Sequence, residues 1–363
     1  MQRRGLSLPL ERLFTPVESS LEATAAARAT LLAMQVGAAR RALDEAGVDA
    51  AEVGWLIYGD VSGYGGFGHV GALGAALGLS ASAAVLSVDH IGCIAGFRLL
   101  SLAAQLSRGS RRPALLVYGD LAAASHHVLP DELGLEDVVS LSLFADGAGA
   151  AVVGAPRDGA SGLYEVLSSA SAIVPGSSRE MRIAASLAPQ FSLQEVVTPK
   201  VAVHISKNVS AFAHRLLDSD ECMAAAGARL DSVPLLVHPG GKTILEAVQR
   251  RLGAGREQLA SSWAVMREHG NMAGATNLAV LDHHRREGAG RPGSDICLAL
   301  SFGPGLSMEG LLLRALPAQP RGPATPPAIY ESAAPPRPAA SSPSGSSSRQ
   351  ALVPRFAGAL GEE

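Results

Sequence analysis

Lysine, cysteine and long apolar runs are what this sequence has least of. Only Lys200, Lys207 and Lys242 stand among its 30 basic residues, so the positive charge is almost all arginine, which reads as genome composition bias. Against 33 acidic residues the net charge is −3. No basic surplus is present to draw a polyanion or an anionic lipid surface, so neither nucleic acid nor membrane is an expected partner. The three cysteines, Cys93, Cys222 and Cys297, are widely spaced and form no CxxC pair. A disulfide framework and a structural zinc site are both disfavoured, and unpaired thiols fit a reducing compartment. No stretch of about 18 strongly apolar residues offers a membrane span. The opening MQRRGLSLPLERLF is basic but lacks the apolar centre of a signal peptide. A cytoplasmic protein is the expectation. With 47% hydrophobic and 17% charged residues the chain has ample material for a core, which excludes wholesale disorder.

What is present alternates between two periodicities. Glu22 to Ala46 repeats apolar residues near a 3.6 period and stops before Gly47; Val53–Tyr58 (VGWLIY) reads as a strand. Helix is expected around Gly71–Leu79, strand near Ala84–Val88, helix over Gly92–Leu106 and a buried strand at Ala114–Tyr118. Phe144–Val153 (FADGAGAAVV) reads as a glycine turn feeding another strand, with Asp146 as a turn former. Such alternation predicts an α/β layered fold. From residue 317 the character changes: ten of the 22 prolines fall in the last 47 residues, with Ala and Ser runs. That composition predicts a disordered tail over 317–363, the alternative being a polyproline stretch that binds a partner.

The second half echoes the first. GVDAAEVGWLIY from Gly47 to Tyr58 resembles GARLDSVPLLVH from Gly227 to His238, and Gly92-Cys93-Ile94-Ala95-Gly96 lines up with Gly270-Asn271-Met272-Ala273-Gly274. Two echoes at nearly equal offsets predict an internal duplication, with halves at 1–155 and 156–316. It places Cys93 and Asn271 at equivalent positions, each before a helical run. A thiol at a helix N-terminus meets the positive end of the peptide dipoles, which favours the thiolate. The competing reading is a buried, inert cysteine. His238 ends a strand-like run before Pro239-Gly240-Gly241, at the sheet end where ligands bind in such folds, or else is an ordinary surface histidine. A neutral asparagine amide can donate to an oxyanion without titrating. Cys93, His238 and Asn271 together can support acyl transfer through a thioester.

Six stretches carry a resemblance: RLFTP at 12–16, DHIGCIAGFRLL at 89–100, LFADGAGAAVVG at 143–154, VHPGGKTILEAV at 237–248, HGNMAGATN at 269–277 and SFGPGLSMEGLLLRAL at 301–316. In this order they resemble the type III polyketide synthases, the chalcone-synthase-like branch of the thiolase superfamily. The resemblance implies a thiolase-like fold of two duplicated α/β halves in α-β-α-β-α layers. It implies an acyltransferase that takes a starter acyl-CoA and malonyl-CoA, as a homodimer, with no metal and no cofactor beyond the CoA thioesters themselves. Cys93 would accept the starter and be held as thiolate by His238. His238 and Asn271 would polarise the malonyl thioester carbonyl during loss of CO2, and the enolate would attack the acyl-Cys93 thioester. A pyrone, resorcinol, phloroglucinol or similar ring would then be released.

By the same resemblance Phe144 matches an aromatic gatekeeper between CoA tunnel and cavity, with core packing as the alternative. A second gatekeeper falls near Phe191. Gly303, Pro304 and Gly305 would shape the cavity floor, or simply end a strand. His126, beside His127, falls near a cavity-lining stretch; Arg3, Arg4 and Lys242 are candidates for CoA phosphates, the last with a solvated face as its alternative. The resemblance further implies a central-sheet strand and helix upstream of MQRRGLSLPL that are missing from this chain. Two other functions stay open at this point: a ketoacyl synthase III type enzyme, which shares the Cys–His–Asn trio, and a non-catalytic paralogue serving as scaffold or partner subunit.

Overall fold

The computed structural model describes residue 6 and residues 21–61, 68–122, 135–154, 162–186, 192–219, 229–288 and 295–316. Arg3, Arg4, His126, His127, Phe191, Cys222 and the 317–363 tail lie outside the described residues.

Two four-stranded sheets organise the chain. The first comes from β1 (Trp55–Gly59), β2 (Ala84–Ser87), β3 (Ala114–Asp120) and β4 (Gly147–Val153), in the order β2-β1-β3-β4. The first three are parallel and β4 runs antiparallel to β3. The second comes from β5 (Tyr164–Ile173), β8 (Leu235–Val237), β9 (Ile296–Gly303) and β10 (Ser307–Ala315), in the order β5-β10-β9-β8. Here β8 and β9 are parallel while β10 is antiparallel to both its neighbours. A separate antiparallel hairpin joins β6 (Met181–Ser186) to β7 (Ser192–Val197). The duplication is visible in this plan, because β1-β3-β4 and β8-β9-β10 have the same directions and order. The halves differ at their edges: among the described residues, β5 flanks β10 while no strand flanks the outer side of β4.

Each central strand is buried on both faces, and successive side chains point to opposite faces. In β1, Leu56 and Tyr58 face a core with α1 (Leu21–Ala46) and α2 (His69–Leu77), whereas Ile57 faces the other way. In β3, Leu115 and Val117 go outward and Leu116 and Tyr118 inward. In the second sheet, Leu235, Val237, Leu298 and Leu300 pack outward on α5 (Lys200–Leu217) and α6 (Lys242–Leu252). Leu236, Cys297, Ala299, Leu311 and Leu313 point inward to the same middle core that Ile57 and Leu116 enter. That middle core is filled by α3 (Ala95–Ser110) and α8 (Gly274–His283). The result is the α-β-α-β-α stack. Two further helices, α4 (Leu135–Leu143) and α7 (Ala260–Glu268), lead into the loops before β4 and α8.

The two middle helices meet at glycines. A Cβ on Gly96 would lie 2.3 Å from the Gly274 carbonyl oxygen, and one on Gly274 would lie 2.7 Å from the Ala95 Cβ. No other residue type allows this approach. A half-buried ion pair adds a cross-tie from α3 to the second sheet: Arg98 donates to Glu309 on β10 at 2.8 Å, and Ser171 on β5 donates to the same carboxylate oxygen at 2.6 Å.

Candidate active site

The turns that open α3 and α8 share a positive-φ glycine one residue before the side chain of interest. Cys93 stands in a 3₁₀ turn, Gly92–Ile94, that runs into α3, so the helix begins a few residues after the Gly92 start read from the sequence. Gly92 has φ +61°, and Gly270, its counterpart, has φ +75°. His90 and Ala273 also adopt positive φ, at 61° and 47°, which is unfavourable for residues with a Cβ. Both turns therefore hold strained backbone, and Cys93 and Asn271 project from them toward the helix crossing.

At that crossing Cys93 and Asn271 meet. The Asn271 Nδ2 lies 3.7 Å from the Cys93 Sγ and its Oδ1 lies 3.9 Å away. Ala273 N–H donates to the Asn271 Oδ1 at 3.0 Å, and only an oxygen can accept it, so the amide is oriented with its NH2 toward the thiol. Both side chains are almost wholly buried, with Cys93 4% and Asn271 1% exposed. Phe144, 7% exposed, follows α4 and forms a single parallel bridge with Asn271 through the backbone: Asn271 N–H donates to the Leu143 carbonyl at 2.9 Å, and Ala145 N–H to the Asn271 carbonyl at 2.8 Å.

His238 follows β8 directly, its N–H donating to the Leu300 carbonyl of β9 at 2.8 Å. It is 1% exposed, which excludes the surface alternative. Its Nδ1 lies 2.7 Å from the Oδ1 of Asn277 on α8, whose Nδ2 donates to the Cys93 backbone carbonyl at 2.8 Å. The His238 Nε2 has no hydrogen-bond partner among the described residues. Burial pushes the imidazole down to about 4, opposed by the Asn277 bond, so the neutral ring is the resting form. Tyr118 of β3 packs its ring beside Gly274, and burial holds its phenol well above the usual range, hence neutral.

Gly303-Pro304-Gly305 forms the turn between β9 and β10 and lies against the Gly92–Ile94 turn. A Cβ on Gly92 would meet the Pro304 Cδ at 2.8 Å, and one on Gly303 would meet Ile94 and the Ile91 carbonyl at 2.9 and 3.0 Å. The turn is thus both a strand connection and a wall beside Cys93. Lys242 is placed differently. It opens α6 with 74% of its side chain exposed, 3.8 Å from Glu246, on a solvated face. Among the described residues no group of three or more His, Cys, Asp or Glu side chains could hold a metal ion, and no helix is long and apolar enough to cross a membrane.

Sequence reasoning singled out Cys93, His238 and Asn271 but missed Asn277, which ties the histidine to the cysteine's own backbone. The signal was present as a polar residue in an otherwise small and apolar helix, GATNLAVL, without a motif to give it meaning.

Comparison with known proteins places this architecture. Residues 11–157 match the N-terminal domain of chalcone and stilbene synthases, and residues 165–317 match their C-terminal domain. The "Probable polyketide synthase 1" of Dictyostelium discoideum is 30% identical over 244 residues, which are 66% of this chain and only 7% of that much longer protein. The C-terminal type III polyketide synthase domain of Steely1, a type I/III hybrid from Dictyostelium, superposes with a TM-score of 0.73 at 25% identity, over 81% of this chain and 79% of that one. A type III pentaketide synthase from Neurospora crassa shares the fold, with a TM-score of 0.71 at 23% identity over 81% of each chain. The fold is thus thiolase-like, with duplicated halves meeting at a buried cysteine, histidine and asparagine. Within that class the chain belongs to the chalcone and stilbene synthase family, the type III polyketide synthases.

Proposed function

We propose that the chain condenses malonyl-CoA onto an acyl group carried on Cys93 and releases a cyclised polyketide. The observation that carries this reading is the convergence of a thiol, an oriented amide and a buried imidazole at one helix crossing: Asn271 Nδ2 at 3.7 Å from the Cys93 Sγ, and His238 bridged to Cys93 through Asn277. Neutral His238 is suited to take the Cys93 thiol proton on Nε2, giving an imidazolium–thiolate pair; the thiolate attacks the starter thioester, and CoA leaves as a thiolate that takes its proton from solvent, so Nε2 keeps the thiol proton. Malonyl-CoA then replaces CoA. Loss of CO2 leaves an enolate whose oxygen is stabilised by the Asn271 amide and by the Nε2–H that His238 gained from Cys93. The enolate carbon attacks the acyl-Cys93 carbonyl, the tetrahedral intermediate collapses with Cys93 thiolate as the leaving group, and the chain, longer by two carbons, is now carried by CoA. Each donor aimed at the developing oxyanion lowers the barrier by about 3 kcal/mol.

Electrons balance without an external oxidant or reductant, so CoA thioesters are the reactants this scheme calls for. Phe144, bridged to Asn271, and the Gly303–Gly305 turn beside Cys93 are positioned to shape the space in which the chain grows. A free catalytic thiol suits a reducing compartment, in keeping with a cytoplasmic enzyme. We further assign a homodimer. Among the described residues the outer edge of β2 carries no strand, and Val85 on it is 55% exposed, an edge suited to pairing with a second copy.

The direct test is release of CO2 and free CoA from malonyl-CoA, alone and with a panel of acyl-CoA starters, with products followed by mass spectrometry. A polyketide supports the synthase. CoA-independent silence with all starters, in the chain and in a version extended upstream, favours a non-catalytic partner subunit instead.

A further inference from the structure

The bond network around Asn277 determines more than position. The Cys93 carbonyl can only accept, so the Asn277 group facing it at 2.8 Å is the NH2. The Asn277 Oδ1 therefore faces the imidazole, and at 2.7 Å from Nδ1 it requires a proton there. With the proton on Nδ1, a neutral His238 presents its lone pair at Nε2, the nitrogen left without a partner. The chain of constraint runs from a backbone carbonyl that cannot donate to a ring nitrogen that must accept.

We infer that Asn277 is a positioning residue that holds His238 in the Nδ1–H tautomer, so that Nε2 acts as the base toward Cys93. This rests on the catalytic pairing of Cys93 and His238 proposed above and adds the group that sets its proton inventory. The packing shows that the site is built around this amide. A Cβ on Gly96 would lie 2.6 Å from the Asn277 Cβ and 3.0 Å from its Nδ2, so the helix crossing leaves room for Asn277 only because residue 96 is glycine. Asn277 is fully buried, so its two bonds are not exchanged with water.

Few other groups bear on the ring. Burial and the Asn277 bond are the two influences on His238; across the bridge stands Cys93 on the nucleophile turn, and Tyr118 on β3 faces Cys93. Asp60 and Asp120, at the ends of β1 and β3, act on Tyr118. Among the described residues no carboxylate or cation influences His238, so an uncharged amide sets its tautomer where a carboxylate would also stabilise the imidazolium.

The test reads the thiol and the ring separately from turnover. Cys93 alkylation by iodoacetamide, measured against pH and resolved by peptide mass spectrometry from the other two cysteines, reports its thiolate. Asn277→Leu keeps the size but removes both bonds; its alkylation profile should move to higher pH by about one unit, and ¹⁵N spectra of His238 should lose the Nδ1–H signature. Malonyl-CoA decarboxylation should fall about a hundredfold in kcat with KM little changed. Asn277→Asp keeps the acceptor, so its profile should stay or move to lower pH, opposite to the leucine variant. An unchanged profile in Asn277→Leu, or a rise to higher pH in Asn277→Asp, overturns the inference; the aspartate variant decides alone if the leucine variant does not fold. His238→Ala separates the two levels. If it leaves the profile of the wild-type chain unmoved, the Cys93–His238 pairing itself fails. If it shifts the profile while Asn277→Leu does not, only the role of Asn277 fails.

Discussion

Cys93, His238 and Asn271 should fail in different ways when replaced one at a time. Cys93→Ala removes the acyl carrier and the thiol proton that His238 would take, but leaves the Asn271 amide, so condensation should vanish while slow malonyl-CoA decarboxylation persists. His238→Ala and Asn271→Ala should each lower decarboxylation by about 10²–10³ as well. Full condensation by Cys93→Ala would sink the mechanism. His238 also leaves a mark on stability. Its folded value of about 4 lies below the ordinary 6.5. Above pH 6.5 neither state holds the proton; between 6.5 and 4 the unfolded chain binds a proton that the folded chain refuses. Stability should therefore decline as pH falls through that window, by about 3 kcal/mol from this residue. His69, lowered by burial in the same direction, adds to the trend. Urea unfolding midpoints at pH 7 and pH 4.5 should converge in His238→Gln relative to the parent chain. That these three residues come together was legible because each sits in a local pattern: a small-residue turn, a strand end, a glycine-flanked amide. Asn277 was not. Its partners lie 39 and 184 positions away, and no local periodicity reports a contact at that range.

For the elements, the helix crossing is the exacting feature. Gly96→Ala puts a methyl group 2.3 Å from a backbone oxygen that cannot move without shifting α8. Such overpacking costs about 1–3 kcal/mol, so thermal unfolding should occur several degrees lower. Because Cys93 and Asn271 sit in the turns that lead into the two helices being pushed apart, activity should fall further than stability alone explains, measured as kcat at a temperature where the variant remains folded. Most elements could be read from the sequence, since strands buried on both faces give apolar runs and α1 ends where Gly47 interrupts its pattern. The start of α3 was read too early. The 3₁₀ turn at Gly92–Ile94 has the same small residues as the helix it precedes, and propensity does not separate them.

Across the whole molecule, one middle layer serves both sheets. Ile57 and Leu116 of the first sheet and Leu311 and Leu313 of the second enter the same core as Cys93. The repeated offset in the sequence pointed to two similar sheets; that their inner faces share a single core came only from the family resemblance and its α-β-α-β-α layers, because packing between distant segments leaves no mark in either half alone. Assembly is set at the rim. If the exposed β2 edge pairs with a second copy, Val85→Lys should place a charge in that pairing and shift the mass seen by light scattering from dimer to monomer, with the alkylation profile of Cys93 retained. An unchanged mass would assign the contact to another surface.

Gly92-Cys93 and Gly270-Asn271 occupy matching turns on either side of one crossing. Were the halves separate identical chains joined about a twofold axis, whatever residue stood on one side would necessarily stand on the other, giving two thiols face to face or two amides. A single covalent chain is free of that constraint. Joining the copies end to end is what lets a thiol confront an amide, so the asymmetry of the site is a property of the linkage between the halves as much as of the residues they carry.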